Sequence, residues 1–189
     1  AVKNPEQARK QYIDRSIEEF NADNVLSADI GKFAIEDEAA GLKMTAARSG
    51  DYHEVGSALK KAREKELYAD PARADKPVAA TAGGSGSGKS NILRQAAEQT
   101  GKTLQDEYAM VHDINFNKYD SVMGAIKRAF DKGHNFETSY VWLDPLVAWE
   151  RVLGRVKSQD RIVPIVEHVN THQNSLPTVA RVNAELIND

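Results

Sequence analysis

The sequence predicts an α/β fold, a parallel sheet flanked by helices on both faces, and three observations carry that reading. Short apolar runs alternate with amphipathic stretches of helical period along most of the chain. A glycine-rich loop at residues 83–90 stands between one such run and one such stretch. Prolines and glycines fall where helices start and stop. With 189 residues and a hydrophobic fraction of 41%, the chain is long enough for one packed core. It is read as one domain, 1–189. Residues 1–77 supply N-terminal helices, a candidate strand and a candidate substrate region, and 78–189 form a core with a lid.

The elements follow in order. Asn4 before Pro5 is an N-cap followed by a proline at the first helical position, so a helix starts there. Its apolar residues Ala8, Tyr12, Ile13, Ile17 and Phe20 form one stripe. Residues 25–28 read as a short buried strand ending at Asp29. Residues 33–47 and 54–69 read as helices, and 70–77 as a surface connector. Residues 78–82 are the next strand, followed by the loop and a helix over 89–100 that stops at Gly101. Further strands are expected at 108–112 and 139–143, with a helix over 118–132 between them. Pro145 opens a helix to about residue 157, and Pro164 opens the last one.

Composition excludes several functions. A net charge of −3 with a pI near 6.0 leaves no basic footprint for a nucleic-acid backbone. The chain has no cysteine, so disulfides, thiolate metal sites and cysteine nucleophiles are ruled out. No apolar run approaches the ~20 residues of a membrane span, and the expectation is a cytoplasmic protein without membrane partners. The five histidines, His53, His112, His134, His168 and His172, show no metal-ligand spacing, and the pair at 168 and 172 reads as surface.

The loop Gly83, Gly84, Ser85, Gly86, Ser87, Gly88, Lys89, Ser90 fits G-x-x-x-x-G-K-[ST] in full. Its glycines let backbone N–H groups curl around phosphates, and the following helix aims its positive end at the same anion. Lys89 is placed to meet the β- and γ-phosphates, and Ser90 to ligate Mg²⁺. ATP or GTP with magnesium is the expected cofactor. Asn117 to Asp120 spells N-K-x-D, a base-reading motif elsewhere, but it stands at a helix entry and is read as chance. Arg151 and Arg155 lie four apart on one helix face, and Arg161 follows on a loop, an arrangement suited to a lid that stabilises charge on a migrating phosphoryl group.

The A-G-G-x-G-S-G-K-S form of the loop, with the run from Asp144-Pro145 through Ala148-Trp149-Glu150-Arg151 to Arg161-Ile162-Val163-Pro164, resembles the zeta toxin family of phosphate-loop kinases. In that family the phosphate loop is followed by a strand ending in a catalytic aspartate, a helical substrate region, a strand with an acidic residue, and the lid. Here one strand and the substrate helices are missing from that place. Residues 24–32, containing Asp29 and Lys32, resemble the aspartate strand, and 46–67, with His53 and Ser57, the substrate helices. The resemblance therefore implies a kinase with permuted strand order. Asp29 becomes the general base, Asp113 the acidic residue near Mg²⁺ or substrate, Arg151 and Arg161 the transition-state arginines, Arg155 a nucleotide contact, and Lys32 and Ser57 substrate contacts. It also implies a small-molecule acceptor, a UDP-activated amino sugar, and an antitoxin protein as partner. Two departures bear on the acceptor: Lys32 replaces a frequent Arg, and His112-Asp113-Ile114-Asn115 replaces an acidic-Gly-Thr pattern. The alternatives are a kinase for an antibiotic, a nucleotide or a polynucleotide end, and a nucleotide-binding sensing module without turnover. The sequence is also read as ending without the final strand usual in this fold, either as a truncated chain or as a domain that completes its sheet with the permuted N-terminal strand.

Overall fold

The computed structural model describes residues 4–34, 52–159 and 163–188. Helix α1 (Pro5–Phe20) starts as its sequence requires, with the Asn4 side chain accepting from the Gln7 N–H at 3.1 Å. It ends at Asn21, whose φ of 52° is left-handed. Its buried face is Ala8, Tyr12, Ser16 and Phe20, while Ile17 of the expected stripe is exposed. Ser16 takes an inner position because its hydroxyl donates to the Ala22 carbonyl at 2.6 Å, so its burial leaves no unmet polar group.

Strand β1 (Val25–Leu26) is two residues shorter than expected. Ser27 turns the chain by accepting from the Asp29 N–H, which caps helix α2 (Ala28–Phe33). The expected helix over 33–47 begins where α2 ends at its C-cap Ala34, and residues 35–47 lie outside the described residues. Helix α3 (His53–Ala69) matches the expected 54–69 and leads through a 3₁₀ turn (Pro71–Arg73) to β2 (Val78–Ala82). The loop follows, then α4 (Lys89–Thr100), the short α5 (Leu104–Glu107) and β3 (Met110–Asp113). Helix α5 was not expected, and its C-cap at Tyr108 delays the strand by two residues. Helix α6 (Tyr119–Asp131) and β4 (Phe136–Tyr140) come next. Strand β4 starts three residues before the expected position, although the Val141 N–H still donates to Ala82 at 2.8 Å. The chain closes with α7 (Pro145–Gln159) and α8 (Ile165–Asn188).

All four strands are parallel, in the order β1-β3-β2-β4. Successive side chains point to opposite faces, and each face has its own cover. Val25 and Val111 pack with Tyr12, Phe20 and Leu93 of α1 and α4. On the other face, Ala80 and Ala82 pack with Val122 and Ile126 of α6 and Val182 of α8. Helix α3 passes from one cluster to the other, Leu59 against the first and Leu67 within the second. This is the P-loop kinase-like α/β architecture expected from the sequence. Among the described residues, no helix is long and apolar enough to cross a membrane.

One helix contact positions the site. Helices α2 and α3 meet backbone to backbone at Gly31 and Gly56, where a Cβ on Gly31 would stand 2.4 Å from the Gly56 carbonyl oxygen. Nearby, Arg63 of α3 binds Asp23 at 3.0 Å, and Arg73 binds the same carboxylate at 2.9 Å. Those two ion pairs tie α3 and the turn after it to the segment entering β1.

Candidate active site

The order of the sheet sets β1, β3 and β2 side by side, so the segments leaving their carboxyl ends are neighbours. In open parallel sheets that edge is where ligands bind. The three segments carry Ser27–Asp29, Asp113–Asn115 and the loop. They line a cavity of ≈ 760 Å³, to which residues of α3, α6, α7 and α8 also contribute.

The loop has the backbone its glycines allow: φ is positive at Gly83, Gly86 and Gly88. The Ser87 N–H donates to Gly84, and Asn91 and Ile92 donate to Gly88, which turns the loop directly into α4. Lys89 is 9% exposed, and its ammonium donates to the carbonyls of Gly83 and Gly84 at 3.0 Å each and to Asn115 Oδ1 at 2.7 Å. Three acceptors hold that charge across the loop mouth. Asp113 links β3 to β2 and α4, with Oδ1 accepting from Thr81 and Oδ2 from Ser90, both at 3.2 Å. A carboxylate and a hydroxyl so close suit a hard divalent cation. Among the described residues no three His, Asp or Glu side chains gather into a cation cage, so magnesium here would draw on phosphate and water for its remaining ligands.

Asp29 lies in the first turn of α2 and pairs with Lys32 at 3.0 Å, and both line the cavity. Arg151 reaches the loop from α7, its Nη1 3.5 Å from the position a Gly88 Cβ would take. Arg155 lines the cavity one turn on. Arg161 lies outside the described residues. Ser57 is half-buried on α3 and away from the cavity lining, whereas His53 lines it.

Sequence reasoning missed three contributions. Asn115 holds Lys89. Lys60 of α3 lines the cavity, in a helix with several exposed charges and nothing in its spacing to single it out. Helix α8 grips the outside of the loop: the Ser85 N–H donates to Thr171 Oγ1 at 3.0 Å, and His172 Nε2 donates to the Ser85 carbonyl at 3.0 Å. A Cβ at Gly84 would fall 2.3 Å from that imidazole. His168 is buried, contrary to the surface expectation, and donates to the Pro145 carbonyl at 2.9 Å. Burial lowers the His172 pKa below its ordinary value. These two rings therefore fasten α7, α8 and the loop to one another. Asn117 binds Glu167 at 3.3 Å and Lys118 caps α6, so the N-K-x-D letters sit at a helix entry as expected.

A parallel α/β sheet with this loop between β2 and α4 has the P-loop kinase-like fold. The family model described as Zeta toxin matches residues 101–189, from the end of α4 through β3, α6, β4, α7 and α8. That part of the chain, just under half of it, is zeta-toxin-like. None of the curated proteins compared with the chain matches it.

Proposed function

We propose that the chain is an ATP- and Mg²⁺-dependent kinase that transfers the γ-phosphoryl group to a hydroxyl of a small-molecule acceptor. The observation that carries this reading is the meeting of Asp29, Asp113 and the loop in one cavity, although Asp29 precedes the loop in the chain. A loop that binds a triphosphate needs only β2 and α4; a carboxylate brought beside it from the first turn of α2 is what transfer requires.

In this reading the loop amides and Lys89 hold the β- and γ-phosphates. Bound magnesium, held by Ser90 and Asp113, would neutralise phosphate charge. Asp29 accepts the proton of the acceptor hydroxyl, whose oxygen bonds to the γ-phosphorus as the bond to the bridging oxygen breaks and ADP leaves. Lys32, paired with Asp29 at 3.0 Å, holds that carboxylate in position. Arg151 and Arg155 supply donors to the transferring group, with Arg161 as the third member of the lid. The family resemblance extends the proposal to a UDP-activated amino sugar as acceptor, GTP as the alternative donor, and an antitoxin as protein partner in the cytoplasm.

ATP consumption with a panel of UDP-sugars tests it, on the wild type, Lys89→Ala and Asp29→Asn. Acceptor-dependent turnover in the wild type should fall by at least about a hundredfold in both variants, with nucleotide affinity kept in Asp29→Asn and lost in Lys89→Ala. Nucleotide binding with no turnover on any acceptor would replace the kinase by a sensing module. Turnover that survives Asp29→Asn would remove Asp29 as the base.

A further inference from the structure

The ammonium of Lys89 is held at three points, the carbonyls of Gly83 and Gly84 at 3.0 Å each and Asn115 Oδ1 at 2.7 Å. An ammonium has three donors, so a bond from it to a phosphate displaces one of these acceptors. Two of them are backbone carbonyls fixed in the loop, and the third is a side chain. Asn115 is therefore the acceptor that yields most easily. Its main chain stays where it is: the Asn115 carbonyl accepts from the Gly83 N–H at 3.3 Å and faces the Ser175 hydroxyl of α8. Phe116, the next residue, is buried in the core cluster of Ala80, Ala82 and Ile126 at a φ of 60°, which a bulky side chain seldom adopts. Burial of that ring holds the strained turn, and the turn keeps Asn115 at the loop mouth.

The partner fixes which way the amide faces. Lys89 can only donate, so the atom turned to it is the oxygen, and the other end of the side chain is Nδ2 with two N–H donors. Among the described residues no hydrogen bond engages that end, and Asn115 lines the cavity with Lys89, Ser90 and Asp113. An anion entering there meets an ammonium and an amide donor side by side. Asn115 is also neutral, so it does not repel a triphosphate as an aspartate in its place would.

We propose that Asn115 reads the terminal phosphate of the nucleotide: without nucleotide its Oδ1 keeps Lys89 at the loop mouth, and with the triphosphate bound its Nδ2 donates to the γ-phosphoryl group while Lys89 turns to the phosphates. This rests on the loop's being the nucleotide site and deepens that reading. The loop amides meet phosphates of any nucleotide, whereas a donor set apart on the segment leaving β3 separates a triphosphate from a diphosphate. Such a bond is charge-assisted, which gives it the strength to discriminate.

Titration calorimetry on the full chain compares the magnesium complexes of a non-hydrolysable ATP analogue and of ADP, in the wild type, Asn115→Leu and Asn115→Asp, with melting temperatures measured alongside. Asn115→Leu should weaken the analogue by about tenfold or more and ADP by no more than about threefold, since only the bond to the γ-phosphate is lost. Asn115→Asp, of the same shape, should weaken the analogue still further, because its carboxylate holds Lys89 as an ion pair and has no donor to offer. A structural residue would lower both affinities and the melting temperature together, and that outcome overturns the proposal. So does an analogue-to-ADP ratio in Asn115→Leu equal to that of the wild type, an Asn115→Asp chain that binds the analogue as tightly as the wild type, or a wild type that binds the two nucleotides alike. If Asn115→Leu does not fold, Asn115→Asp decides alone. A wild type that binds neither nucleotide overturns the nucleotide reading of the loop and this inference with it. One that prefers the analogue through Asn115 yet phosphorylates no acceptor overturns the kinase reading alone.

Discussion

His112 shows what the site costs at the scale of one residue. It is 2% exposed on β3, beside the acidic Asp113, and its Nε2 has no hydrogen-bond partner among the described residues. Burial holds its pKa well below 6.5, and the charges of Lys60 and Arg128 push the same way. The unfolded chain takes up a proton near that ordinary value and the folded chain does not. Stability is therefore full above about pH 7.5 and falls as pH drops through the unfolded pKa, with a slope approaching ~1.4 kcal/mol per pH unit. Denaturation in urea at pH 7.5, 6.0 and 5.0 should show a shallower acid loss in His112→Leu than in the wild type. Identical slopes would mean that the ring titrates freely. Lys89 is the opposite case. Its charge is also buried, but three acceptors surround it.

Between elements, the approach of α2 and α3 sets where Asp29 and Lys32 stand. Replacing glycine by alanine inside a helix ordinarily gains about 1 kcal/mol in propensity. At Gly31 the added methyl would meet the backbone of Gly56 at 2.4 to 2.9 Å, which no rotamer change can relieve. Overpacking of that kind costs about 1–3 kcal/mol, so the contact outweighs the propensity. Gly31→Ala should lower stability and, by separating the helices, lower turnover more than nucleotide affinity. Gly154→Ala on α7 is the matched control, because among the described residues nothing lies within 4 Å of its added Cβ, and it should stabilise. A Gly31→Ala chain as stable as that control would mean that the two helices are free to part.

Across the whole molecule, segments far apart in sequence converge on the loop: β3 through Asp113 and Asn115, α7 through Arg151, and α8 through Thr171 and His172. A nucleotide bound there should stabilise the entire fold. Mg-ATP at a hundred times its Kd contributes about 2.7 kcal/mol, a rise in melting temperature of roughly 5–10 °C for a chain this size. Scanning calorimetry should find that rise in the wild type and in Asp29→Asn, and none in Lys89→Ala. A rise in all three would place the nucleotide elsewhere.

Much of this arrangement is legible in the sequence. The class of fold and the phosphate loop follow from the sequence alone, because glycine spacing, the terminal Lys-Ser and helix boundaries are local chemistry that travels with the chain. The packing of α2 on α3 was not legible, since two glycines in separate segments announce no contact until they meet. The ends of β1 and β3 shifted because Ser27 and Tyr108 cap helices, a competition between strand and cap that composition leaves open. The order β1-β3-β2-β4, the exclusion of Ser57 from the cavity and the inclusion of Lys60 were decided only by the tertiary structure. Strand neighbours and cavity walls depend on which surfaces bury each other, and that is a property of the folded whole.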